Sequence, residues 1–237
     1  MHEILYVQNY LPGLNGHTWS LAVEEQFYIS FAILFYLAFK FKWLEKKTVV
    51  ISVLLSLMLM VVVLRMISET GWTSGFIESH NRMDGILCGV LASYLFYFTN
   101  SIEKIYSHSW IALFISLGLI SPIVLYHGVS REWFSVSQFA MNLGFALLVC
   151  LAWNPQLYGA MLKPRLIKFP FKIIAFVGVH SYSIYLWHAL IKKFLILSPL
   201  SDKWAIVLYF ILTIGLGIII SILIEQPILK FRNRVFK

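Results

Sequence analysis

Charge is scarce in this sequence. Only 13% of its 237 residues are Asp, Glu, Lys or Arg, against about a quarter in a soluble domain, which excludes an ordinary water-soluble globule. Cysteine is scarcer still. Cys88 and Cys150 both lie inside apolar runs, without metal-ligand spacing, and read as small buried residues. No cluster of ligand residues suggests a metal. No repeat, low-complexity tract or linker divides the chain, so a single domain over 1–237 is expected. Residues 1–16 lack the basic and apolar regions of a cleavable signal peptide. Acidic residues are the minority: the net charge is +8. The basic residues nevertheless form no stripe suited to nucleic acid, and none is expected as a partner.

What the sequence has instead is apolar length. It is 59% hydrophobic, with a mean hydropathy of +0.79, as expected of an integral membrane protein. A spanning helix needs about 20 mostly apolar residues. Seven stretches qualify approximately: Leu21–Phe39, Val49–Ile67, Met83–Phe98, Trp110–Tyr126, Val136–Trp153, Ile173–Ile191 and Trp204–Ile224. The predicted fold class is therefore all-α, a polytopic transmembrane helical bundle of about seven spans. Thirteen of the nineteen basic residues fall on one side of this arrangement. They are Lys40, Lys42, Lys46, Lys47, Lys104, Lys163, Arg165, Lys168, Lys172, Lys230, Arg232, Arg234 and Lys237. Arg65, Arg82, Arg131, Lys192, Lys193 and Lys203 fall on the other. The positive-inside rule then puts the N-terminus outside and the C-terminus inside. The short tail, with Glu3 as its one acid, permits translocation.

Two adjacent acids interrupt the first stretch. Phe27 to Phe39 is too short to span alone, so the helix must run back to about Leu21, with Glu24 and Glu25 inside it near the outer end. The helix N-terminus softens their cost, but carboxylates in a membrane usually face a bundle interior or a wet cavity. At helical spacing His17, Glu24 and Tyr28 share a face, as do Ser20 and Glu24, while Glu25 points about 100° away. Headgroup anchoring is the competing reading.

The third stretch opens on SHNRMDG, residues 79–85. Arg82 reaches the same membrane face as the two glutamates. It would offset their desolvation and hold a fixed charge for an anionic or carbonyl-bearing substrate. Asp84 suits a helix N-terminus, and His80, four residues earlier, is placed to meet it. A capped loop with a snorkelling arginine is the plainer alternative. In the sixth stretch Ser181, Tyr185 and His188 form one polar stripe. His188 lies towards the outer side and suits proton transfer; interhelical hydrogen bonding is its competitor, and Tyr182, Tyr185 and Trp187 also suit an interfacial aromatic belt. Glu225 ends the seventh stretch, where Pro227 is expected to break or bend the helix and a salt-bridge partner is the simplest role for the acid. The basic tail beyond suits anionic inner-leaflet lipid. His2, His108 and His127 have no assigned role, and His180 stays open.

Four of these segments resemble the acyltransferase-3 family of membrane proteins. HTWSLAVEEQFYI, His17 to Ile29, matches the family's W-S-L-x-x-E-E-Q-F-Y motif. NRMDGILCGVLAS resembles its R-x-D-x-L-x-x-G segment, VGVHSYSIYLWHALI its G-x-x-S-Y-x-I-Y-L-x-H segment, and IEQPILKF its closing E-x-P. The resemblance implies transfer of an acyl group, often acetyl, from acyl-CoA to a hydroxyl of a cell-surface or lipid-linked carbohydrate. Acetyl-CoA is then the expected donor, with no bound cofactor, in a bacterial inner (cytoplasmic) membrane among membrane lipids. Glu24, Glu25, Arg82 and His188 become the candidate catalytic residues. His17, Trp19, Ser20, Asp84, Ser181, Tyr182 and Tyr185 become candidate substrate-binding residues, with Trp19, Tyr182 and Tyr185 able to stack on a sugar or line the acyl path. Family members have about ten transmembrane helices, the first carrying an Arg and a His usually assigned to catalysis. That segment has no counterpart here. The expectation is an N-terminally incomplete member lacking three helices, partnered by a separate N-terminal half or left as a non-catalytic remnant. A transporter or flippase-like protein is the rival from another class, though paired Gly/Pro-broken spans are not evident.

Overall fold

The computed structural model describes residues 4–11, 16–68, 77–99, 101–125, 130–154, 165–196 and 202–236. Of the residues invoked above, His2, Glu3, Tyr126, His127, Lys163 and Lys237 lie outside them. Among the described residues the regular structure is helical throughout, with no strand. The apolar runs dictate this, because a backbone in lipid must satisfy its own polar groups. The chain is an integral, multi-pass membrane protein. It divides into two compact units, residues 1–158 and 159–237.

In the first unit α1 (Trp19–Lys40) and α2 (Lys47–Ile67) run 22 and 21 residues, about 33 Å and 32 Å at 1.5 Å per residue. Between them Lys42 takes a left-handed φ of 54° and its N–H bonds the Phe39 carbonyl, closing the end of α1. There follow α3 (Met83–Phe98), the short α4 (Ser101–Ser107), α5 (Ser109–Leu125) and α6 (Arg131–Ala152). Ser130 caps α6 through its hydroxyl, which accepts from the Trp133 N–H at 3.3 Å.

The core of this unit joins Phe27 of α1, Leu54 and Met58 of α2, and Leu87 and Cys88 of α3, with Phe139, Leu143 and Ala146 of α6 packed against them. Lipid tails are as apolar as these side chains, so close packing and polar ties must hold the helices together. Gly144 of α6 supplies one close approach. A Cβ there would lie 2.8 Å from the Ser116 carbonyl oxygen of α5. Large apolar side chains such as Ile29, Ile33 and Tyr36 of α1 point outward.

The second unit holds α7 (Arg165–Val179), α8 (Ser181–Ile196), α9 (Asp202–Ile220) and α10 (Gln226–Val235). The expected span Ile173–Ile191 falls on a broken helix: the α7 and α8 axes are bent by 72° at His180. Gly178 to Ser183 contains no strong helix former, so little local propensity opposes the break. Gly217 of α9 packs on the start of α8, where a Cβ would lie 2.7 Å from the Ile184 Cα.

Pro227 does not break the last helix. A π turn, Ser221–Glu225, precedes α10, and the helix continues to Val235. The wider i→i+5 turn spares the carbonyl that a proline ring would strike in an α-helix. Four helical stretches are long and apolar enough to cross a membrane: Trp19–Lys40, Lys47–Ile67, Arg131–Ala152 and Lys203–Val235. The bent α7–α8 pair passes the same test taken together, and α3 and α5 are shorter apolar helices.

Candidate functional site

Four helix ends meet at one end of the first unit: the starts of α1, α3 and α6, and the finish of α2. The side chains there are polar and largely buried. Arg65, in the last turn of α2, pairs with Asp84 in the first turn of α3, Nη2 to Oδ1 at 2.7 Å, with the two residues only 5% and 1% exposed. Arg65 also donates from Nε to the Asn81 carbonyl at 2.9 Å and from Nη1 to the Ser135 carbonyl at 3.2 Å. The Oδ2 atom of Asp84 is buried and has no hydrogen-bond partner among the described residues. Arg131 at the start of α6 donates to the Ser68 carbonyl, tying α6 to the end of α2.

A second set of bonds ties the chain before α1 to the turn before α3. The Asn9 amide donates to the Ser79 hydroxyl at 2.8 Å, and Ser79 donates to the Gln26 side-chain carbonyl. Gln26 donates to the Asn9 side-chain oxygen at 3.0 Å and to the Tyr6 carbonyl. Asn9 and Ser79 are fully buried, where satisfied hydrogen bonds are obligatory. The Tyr10 hydroxyl meets the His80 Nδ1 at 3.1 Å. His80 therefore does not meet Asp84. It lies in the short turn Ser79–Asn81 ahead of α3 and pairs with Glu78 at 3.2 Å.

Arg82 lies between these two sets. Its guanidinium carbon sits 5.3 Å from the Trp19 ring centroid, in cation–π contact. Burial and the nearby Arg65 charge push its pKa down to about 10, Asp84 acting against them, so it keeps its charge at neutral pH. Among the candidate substrate-binding residues, His17 and Ser20 are half-buried at the entry to α1, with His17 in the turn Gly16–Thr18. Glu24 and Glu25 lie in the second turn of α1, but the face packed into the unit carries Ala22, Val23 and Phe27. Glu24 is exposed together with Tyr28, and Glu25 is half-buried.

The acyltransferase-3 family profile, described as an acyltransferase domain, matches residues 3–226. The chain belongs to the acyltransferase-3 family. It is 27% identical over 233 residues to the O-acetyltransferase OatA of Staphylococcus aureus strain NCTC 8325 / PS 47, with 93% of this chain and 37% of that protein covered. The OatA of S. aureus strain COL matches with the same identity and coverage. The chain thus spans about 37% of the length of these relatives. No solved structure matches it significantly. The Gln26–Ser79 bond and the Arg82–Trp19 contact bring together the segments around Trp19 and around Arg82.

The second unit carries the family's third and fourth segments. Ser181 and Tyr182 are exposed at the start of α8, while Tyr185 and His188 are half-buried. The Tyr185 and His188 rings lie 5.3 Å apart, and His188 Nδ1 bonds the Tyr185 carbonyl. Glu225 accepts from the Ser183 hydroxyl and, at 2.9 Å, from the Ser221 hydroxyl. Hydroxyl donors thus take the place of the salt-bridge partner expected from the sequence. His180, whose role was open, is buried against Phe176, with its Nδ1 lacking a hydrogen-bond partner among the described residues.

Sequence reasoning missed Arg65, Gln26, Asn9 and Ser79. Arg65 did leave a signal, a lone charge closing an otherwise apolar run, and such charges are expensive enough in a membrane to demand a partner.

Proposed function

We propose that the chain is a membrane O-acyltransferase domain, with both units acting as one domain. It moves an acyl group, acetyl in the simplest case, from acyl-CoA to a hydroxyl of a cell-surface or lipid-linked carbohydrate. The observation that carries this reading is the meeting of the Trp19 segment with Arg82 in a chain of this family. The names of the S. aureus relatives support acetyl as the group transferred. Seven spans, an outer N-terminus and an inner C-terminus complete the proposal, in a bacterial cytoplasmic membrane, and put this end of the first unit on the outer side.

In the reaction the acceptor oxygen attacks the thioester carbonyl carbon. A C–O bond forms, the C–S bond breaks, the hydroxyl proton passes to a base and the thiolate leaves. Arg82, held charged and partly desolvated, stabilises the oxyanion that develops. Glu25, the more buried of the two acids, accepts a hydrogen bond from the acceptor hydroxyl and takes its proton. Glu24, exposed beside it, orients the acceptor. Trp19 offers an apolar ring to a sugar face. His188 is a second candidate for proton transfer, and Ser181, Tyr182 and Tyr185 are candidates for substrate contact.

The test is transfer of labelled acetyl from acetyl-CoA to cell-envelope glycan in membranes containing the chain. Incorporation above an empty-vector control, reduced about 100-fold or more by Glu25→Gln, supports the reading. Folded, inserted protein with no incorporation contradicts it.

A further inference from the structure

We infer that Arg65 is the positioning residue for Arg82. Only the consequence for turnover rests on the acyl-transfer reading; the geometry stands apart from it. The carbonyl that accepts from Arg65 Nε belongs to Asn81, so it is part of the peptide unit that carries the Arg82 nitrogen. Two residues later Asp84 takes the Nη2 end of the same guanidinium. The third contact, Nη1 to the Ser135 carbonyl, anchors the group to α6. One buried guanidinium thus grips the backbone immediately before Arg82 and the side chain just after it, and fixes both to a neighbouring helix.

The rest of the segment is held from the opposite side. Ser79 is tied to Asn9 and Gln26, and the Asn81 and Arg82 N–H groups close a tight turn on the Glu78 and Ser79 carbonyls at 3.0 Å each. Ser79, Asn81 and Asp84 are all buried, while Arg82 is only partly so and lies over Trp19. The backbone is thus constrained on both sides of Arg82, whose side chain reaches Trp19. The clamp needs arginine. Its planar fork donates to two carbonyls while a third nitrogen faces a carboxylate, whereas a lysine ammonium is a single point charge on a flexible stem. Asp84 has a second role, because its charge lies close to both arginines and opposes their mutual repulsion.

The test uses the full chain in detergent or membranes, with two readouts. The first is amide hydrogen exchange over residues 78–84, which needs no activity. Arg65→Lys is expected to speed exchange there about tenfold through the loss of charged hydrogen bonds, with α6 unchanged. Should Arg65→Lys fail to fold, Arg65→Gln combined with Asp84→Asn removes both charges, leaves neither unpaired, and gives the same local acceleration. The second readout is turnover in a double-mutant cycle. Arg65→Lys lowers kcat about tenfold in the native background but less than about twofold beside Arg82→Lys, because the group it positions is already altered.

Unchanged exchange over 78–84 overturns the inference, as does a full additional kcat loss in the Arg82→Lys background. If the native chain transfers no acetyl while exchange still responds to Arg65, the acyl-transfer reading fails and the clamp stands.

Discussion

Asp84→Asn should destabilise the protein far more than its size suggests. The carboxylate is 1% exposed and its partner Arg65 5%. Neutralising one member leaves an uncompensated charge in a buried site, a loss of about 3–5 kcal/mol. Arg65→Gln should cost a similar amount by stranding Asp84. The combined Arg65→Gln/Asp84→Asn variant loses the pair but buries no lone charge. Its cost is the weakened hydrogen bonding at the Asn81 and Ser135 carbonyls, about 1–3 kcal/mol. The two single changes are therefore strongly non-additive, with the double variant more stable than either. Thermal unfolding in detergent, followed by tryptophan fluorescence, reads this directly. Each single variant should lose about 6–20 °C in Tm on the scale of domains this size. A double variant that loses as much as the two singles summed would refute the reasoning, because the charges would then not compensate one another.

Three further outcomes follow from the packing and the site. Gly217→Ala places a Cβ within 3 Å of the Ile184 backbone, so helices α8 and α9 must separate; a loss of about 1–3 kcal/mol should appear in the same unfolding assay. Gly144→Ala meets the Ser116 carbonyl and should lower Tm in the same way, whereas Gly89→Ala, with nothing nearby, should not. In acetyl transfer, Glu24→Gln should lower turnover less than Glu25→Gln, because Glu24 is exposed and Glu25 is the proposed base; the reverse order would reassign their roles.

The helices were legible because lipid imposes long apolar runs, and the expected Leu21–Phe39 and Val49–Ile67 differ from α1 and α2 by two residues or fewer at each end. The break at His180 was not legible, since neither a proline nor a formal charge marks it. The π turn that accommodates Pro227 was not legible either: it is set by the backbone ahead of the proline. The His80–Asp84 contact assumed that helical spacing began before Met83, whereas a tight turn occupies Ser79–Asn81. At the site, Arg82 and Asp84 stood out as charges opening an apolar run and Trp19 through the family resemblance, but the partner of Asp84 came from another helix. Arg65 and Asp84 lie nineteen positions apart, and only tertiary packing brings them together.

In the proposed reaction Arg82 is the charge that stabilises the reacting carbonyl at the Trp19 segment. The most direct test is the rate of acetyl transfer from labelled acetyl-CoA to envelope glycan by membranes bearing the native chain or Arg82→Gln at equal folded amounts. A fall of about 100-fold or more in turnover, with native-like Tm, is the predicted result. Native-level transfer by folded Arg82→Gln would contradict it.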